Sequence, residues 1–300
     1  VADGTYAGTG NFNVSFRGKA ILVRSENGPA ATVIDIQGDN GAPRRGFLFT
    51  EGEGAGSVLE GFTVRGGMHS SGAGVYCTGS PVLRGNVFES NVAFDWGGAV
   101  AVDGGSPRIE ANEFVGNNGG WMGGGAIHAW GAGSLQVHGN RFRGNTGPGG
   151  SAIQLLDGAS EMTNNLFCGN SAQSGGAIAL LSWDGGGVHF LANNTVTGNQ
   201  GGGVYADPMV ASARVANCVL WELRGNSVAG ASEVRHCCIR GVWEGEGTGN
   251  IFADPMFAAT AAMDYRPAPG SPCVDAGDGA FAPARDALGV ARCDDPDAAN

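Results

Sequence analysis

One pair of phrases recurs through the middle of this chain. It reads Gly97-Gly98-Ala99-Val100 with Asn112-Glu113-Phe114-Val115-Gly116-Asn117, then Gly124-Gly125-Ala126-Ile127 with Asn140-Arg141-Phe142-Arg143-Gly144-Asn145. It returns as Gly150-Ser151-Ala152-Ile153 with Asn165-Leu166-Phe167-Cys168-Gly169-Asn170, and as Gly175-Gly176-Ala177-Ile178 with Asn194-Thr195-Val196-Thr197-Gly198-Asn199. The leading Asn falls at 86, 112, 140, 165 and 194, in steps of 26, 28, 25 and 29 residues. A unit of that length, with three short apolar segments and no helical periodicity, cannot bury its apolar face alone and must stack on its copies. The expected fold is all-β, a parallel solenoid of about nine coils, with loops absorbing the variation in step.

Alternation within each coil assigns faces. Val100 and Val102, Ile127 and Ala129, Ile153 and Leu155, and Ile178 and Leu180 form a large apolar column and are expected inside, as are Phe88, Phe114, Phe142, Phe167 and Val196. Stacked aromatics at one coil spacing bury a large area per residue. The column Val75, Ala99, Ala126, Ala152, Ala177, Val204 is expected to form a flat, mildly apolar outer wall. The flanking Asn residues read as turn ladders in which each amide pairs with the one a coil above.

The repeat extends in worn form towards both ends, so residues 1–257 are assigned to the solenoid and residues 258–300 to a Pro-rich closing segment packed on it or on a neighbouring chain. Val1 falls inside what reads as a strand, as expected of a processed or excised chain. The seven Cys are an odd number without paired zinc spacing. Cys218 is expected beside Cys237 or Cys238, and Cys273 and Cys293 could staple the closing segment, although spacing leaves the partners open. Net charge is −11 with no basic run, which disfavours nucleic acid and anionic membrane surfaces. No apolar run approaches the roughly 18 residues of a membrane span.

Few residues propose chemistry. Enzymes on such a scaffold use clustered carboxylates, to hold calcium or to act as an acid and base pair. Asp103, Asp157, Asp184 and Asp207 lie along one edge, but each precedes Gly or Pro, which is turn chemistry. No catalytic residue is assigned. Trp96, Trp121 and Trp130 in successive turns would make a sugar-stacking platform if exposed, and outward His128 and Gln154 could contact a ligand; packing over the coil is the competing reading. No resident cofactor is expected. The acidic end Asp294-Asp295-Pro296-Asp297 could bind calcium or be a solvated tail. Asn13-Val14-Ser15 and Asn193-Asn194-Thr195 are N-glycosylation sequons.

The paired Gly-Gly-Ala-Ile and Phe-x-x-Asn phrases, as in Gly175-Gly176-Ala177-Ile178 and Phe167-Cys168-Gly169-Asn170, resemble the repeats of chlamydial polymorphic outer-membrane proteins. Over nearly its whole length the chain resembles bacterial secreted right-handed parallel β-helix proteins. Asp254-Pro255-Met256-Phe257, Asp264-Tyr265-Arg266 and Gly270-Ser271-Pro272-Cys273-Val274-Asp275-Ala276-Gly277 are similar to the closing segment of surface-anchored members. The resemblance implies a right-handed single-stranded coil and secretion to the cell surface or matrix. Since the fold hosts many functions, two classes are carried forward. One is a non-enzymatic structural or adhesive rod that self-associates through its ends into a filament. The other is a polysaccharide lyase or hydrolase, or a glycan-binding module, on the same scaffold.

Overall fold

The computed structural model describes residues 1–286 and 289–292. One strand per coil enters a ten-stranded stack that runs from Gly4–Ala7 through Val87–Glu89, Glu113–Val115, Arg141–Arg143 and Leu166–Cys168 to Cys238–Ile239. Two more strands per coil, such as Val100–Asp103 and Arg108–Glu110, enter a sixteen-stranded sheet in which Ile127–His138 and Ile153–Thr163 each run through both positions. Successive coils pair in parallel, making a β-solenoid of about nine turns.

The register places like on like, which is why the repeat is visible in sequence. Phe88, Phe114, Phe142 and Phe167 are in register, fully buried and stacked with ring centroids 5.1, 4.7 and 4.7 Å apart. That distance matches the spacing of neighbouring strands, so the backbone ladder and the ring stack satisfy one geometry. Val196 and Leu220 continue the column.

The asparagines form two buried ladders, Asn86 to Asn194 and Asn91 to Asn199. Asn145 is representative. Its Nδ2 donates to Phe114 O and to Asn170 Oδ1, while its Oδ1 accepts from Asn117 N and Asn117 Nδ2, all at 2.9 to 3.0 Å. Each amide therefore joins three coils and supplies partners for buried backbone groups at the corners.

The expected alanine wall is corrected. Ala99, Ala126, Ala152 and Ala177 are fully buried in the core, and Val75 and Val204 belong to another column, in register with Val100 and Ile178. Alternation applies inside a strand, but these alanines precede the strand starts at Val100, Ile127, Ile153 and Ile178, where the chain is still turning inward. The preceding glycines permit the turn. A Cβ on Gly124 would sit 2.0 Å from Ile127 O, and one on Gly125 would sit 2.0 Å from Ser151 O.

The ladders end in substitutes. Cys218, Cys237 and then Asn250 continue the first, with Asn194 N donating to Cys218 Sγ, while Glu222 ends the second. Beyond Ile251, which bridges to Cys238, the chain forms an antiparallel hairpin of Phe257–Ala259 and Asp264–Pro267. It then runs back along one corner as a strap. Asn217 Nδ2 donates to Asp278 O and Asn217 Oδ1 accepts from Asp278 N, at 2.8 and 2.9 Å. Asn193 Nδ2 donates to Phe281 O, and Asn164 Nδ2 to Arg285 O. All three asparagines have positive φ, a conformation Asn tolerates better than most residues, and it turns their amides outward to grip the strap backbone.

Candidate functional site

The outward column of the sixteen-stranded sheet reads Tyr76, Ala101, His128, Gln154, Ala179, Tyr205, and the next outward position reads Asp103, Trp130, Leu156, Leu181. This face carries most of the side chains singled out from the sequence. Its lower end is a linked polar row. Arg45 bonds to His69 Nδ1 and lies over the Tyr76 ring at 4.8 Å, and the Tyr76 hydroxyl donates to Asp103 Oδ2 at 2.9 Å. Burial, followed by the bond to Asp103, raises the Tyr76 pKa; burial and then the Arg45 charge lower that of His69. Nothing in the repeat pattern announced Arg45, His69 and Tyr76, because they come from coils where the repeat is worn.

Of the two readings of Trp96, Trp121 and Trp130, packing over the coil holds for Trp96 and exposure for the other two. Trp96 is half-buried and its ring stacks on the His128 imidazole at 5.9 Å and 19°. It acts as a cover rather than a platform. Consequently His128 is only 5% exposed and Gln154 only 7%, so neither is an open ligand contact, although both point out of the coil. Burial pulls the His128 pKa down to about 4, which leaves a neutral ring at pH 7. Gln154 is covered by the loop at Gly149, where a Cβ would stand 2.8 Å from Gln154 Oε1.

Trp121 and Trp130 do reach solvent, at 85% and 43%, and Trp130 has a partner the sequence reading passed over. Trp183, 66% exposed, packs edge-on against it with ring centroids 5.8 Å apart. Trp183 lies just past Leu181, which is in register with Leu156 and thus two coils beyond Trp130. The Trp183 ring reaches back over the buried Leu156 to meet it. The only sequence signal was its position two residues beyond a strand column.

The carboxylates along this edge are committed to local bonds. Asp157 Oδ1 accepts from Ser182 Oγ at 2.8 Å and from Trp183 N at 2.9 Å, so it fixes the turn that presents Trp183. Burial opposes its charge, but these bonds and that from Asp184 outweigh burial and hold the carboxyl below its ordinary value. Asp184 accepts from Gly186 N, and Asp207 from Met209 N. A general acid needs the opposite shift. Among the described residues the carboxyl raised to about 7, by burial, belongs to Glu222, and it is 2% exposed at the end of the asparagine ladder.

Among the described residues no group of three or more His, Cys, Asp or Glu is placed to hold a metal ion. Asp294, Asp295 and Asp297, the calcium candidates, and Cys293 lie outside the described residues. The expected stacking of Cys218 beside Cys237 is present without a disulfide, Cys218 N donating to Cys237 Sγ at 3.3 Å, and both thiols are free. Asn13 is exposed, whereas the Asn193 amide that would carry a glycan is bonded to Phe281 O. Larger concavities follow the strap. One of about 710 Å3 is lined by Asn217, His236, Cys238, Cys273 and Asp278, far in sequence from the tryptophan edge.

Residues 20–193 match the family described as a right handed beta helix region. No curated protein and no solved structure matches the chain.

Proposed function

This chain belongs to the right-handed β-helix family, and from that premise we propose that it is a non-catalytic extracellular adhesive rod that holds neutral carbohydrate along its tryptophan edge. The observation that carries the reading is the Trp130–Trp183 pair, solvent-exposed in edge-on contact, with Trp130 held in the strand Ile127–His138 and Trp183 on a turn fixed by Asp157. Indole faces on rigid supports suit the apolar C–H faces of pyranose rings, and little conformational freedom is lost when they bind. Asp103, Asp157 and Asp184 line the same edge and the net charge is −11, so a polyanion would be repelled and a neutral glycan favoured. The bonds already made by Asp157 and Asp184 suit a supporting role for these carboxylates rather than acid and base work.

Secretion and end-to-end association are part of the same proposal.

The test is affinity electrophoresis through gels containing a neutral β-glucan, a xylan or polygalacturonate. The expected result is retardation by a neutral polymer and not by polygalacturonate. The Trp130→Ala/Trp183→Ala variant should weaken binding by about 5- to 150-fold, the equivalent of ~0.5–1.5 kcal/mol per ring. Unchanged retardation would overturn the reading. Release of reducing ends that is lost in Asp103→Asn or Asp157→Asn would establish the polysaccharide-degrading alternative instead.

A further inference from the structure

Six cysteines are described, all as free thiols, and four of them lie in two neighbouring pairs. Cys218 and Cys237 occupy consecutive rungs of the first asparagine ladder, where Cys218 N donates to Cys237 Sγ at 3.3 Å, and both are fully buried. Cys238 and Cys273 make the second pair, far apart in sequence but lining one cavity and anchored at neighbouring points of the segment Ala253 to Pro255. Cys238 is on the last solenoid strand, Cys238–Ile239, with its Sγ against Ala253 O. Cys273 stands at the foot of the strap and is only partly buried. Its backbone N–H donates to Ser271 Oγ at 3.1 Å, and Ser271 is itself anchored by donating to Pro255 O at 2.7 Å. Both thiols face the cavity between strap and solenoid.

We propose that Cys238 and Cys273 are a cross-linking pair, closed by exchange with a disulfide oxidant into a bond that fastens the strap to the last coil. The pair is asymmetric in the way the exchange requires. The neighbouring Cys238 thiol favours the Cys273 thiolate and lowers its pKa, whereas Cys273 and then burial raise that of Cys238. The accessible Cys273 thiolate attacks one sulfur of the incoming disulfide and expels a thiolate. Cys238 then gives up its proton and attacks Cys273 Sγ of the mixed disulfide, expelling the second thiolate. Two electrons pass from the protein thiols to the oxidant, which leaves as two thiols carrying both protons. Cys218 and Cys237 are also neighbours but are fully buried and present no accessible sulfur for the first step, so proximity and access together select one pair. The assignment differs from a Cys273–Cys293 staple, because the partner of Cys273 lies on the solenoid and not farther along the closing segment.

The experiment uses the full chain, purified reduced and then incubated with glutathione disulfide, followed by alkylation of remaining thiols and peptide mapping without reduction. The expected result is one linked peptide pair containing Cys238 and Cys273, with two thiols lost per chain. Proteolytic cleavage within residues 274–292 should slow by about tenfold or more relative to the reduced protein. Cys238→Ser and Cys273→Ser should each abolish both effects, and Cys218→Ser should leave both in place. Recovery of Cys273 linked to Cys293, or an unchanged thiol count while far-UV circular dichroism shows the chain folded, would overturn the proposal.

Discussion

Replacing Glu222 by Gln tests how a buried amide ladder ends. Glu222 occupies the rung after Asn199, its Oε1 accepting from Asn199 Nδ2 at 2.6 Å and its Oε2 from Asn199 N at 2.7 Å. Burial pushes its pKa from 4.5 to about 7 in spite of those bonds. The folded state therefore binds the Glu222 proton more tightly than the unfolded chain does. The associated stabilisation is fully present below the unfolded value of 4.5 and is lost as pH rises through about 7. A shift of that size corresponds to roughly 3 kcal/mol between the two limits. His128 and His189 work in the opposite direction, since burial lowers each to about 4 from 6.5. Their contribution is present above the unfolded value and is lost as pH falls through about 4. The parent carries all three effects, and the difference between it and Glu222→Gln isolates the carboxyl. Urea unfolding followed by far-UV circular dichroism from below the carboxyl range to mildly alkaline pH should show the gap moving in favour of the variant by roughly 3 kcal/mol. Curves for the two proteins that stay parallel across the range would refute the reasoning.

Three further outcomes follow from the geometry. Phe142→Ala removes the middle of the ring stack and should lower unfolding free energy by about 3–5 kcal/mol in urea, whereas Phe142→Leu, which keeps much of the apolar volume, should cost less. Gly124→Ala forces a Cβ to 2.0 Å from Ile127 O, so the backbone must shift, and a thermal midpoint equal to the parent's would contradict the turn geometry. Asn217→Ala removes both bonds to Asp278, worth about 2 kcal/mol together. In reduced protein it should speed cleavage of the strap by about 30-fold with far-UV circular dichroism unchanged.

The solenoid was legible because its stabilising contacts are made between equivalent positions. Phe114 touches Phe88 and Phe142, and Asn117 touches Asn91 and Asn145, so the periodic text and the contact map coincide. The alanine column was misread because alternation was extended one residue past the strand start, into a turn where consecutive residues both face inward. The thiol ladder was half legible, since Cys218 and Cys237 stand where the asparagine rungs continue. A closing segment was expected from the sequence; its path along the corner was not legible in advance, yet it had left a mark. Where earlier coils have Gly85, Ala111 and Gly139 before the ladder rung, later ones have Asn164, Asn193 and Asn217, and those are the residues that grip it.

What the sequence determined by itself is the part governed by local periodicity: an all-β rod, its coil length, its ring stack and its amide rungs. The tertiary structure alone decided what covers what. Trp96 closes over His128, Trp183 reaches across a coil to Trp130, and the closing segment crosses from Asn217 to Asn164 as a strap. Those contacts join residues that hold different positions in the coil or lie outside the repeat. No spacing encodes them, because they depend on where loops and strap come to rest once the rod has formed.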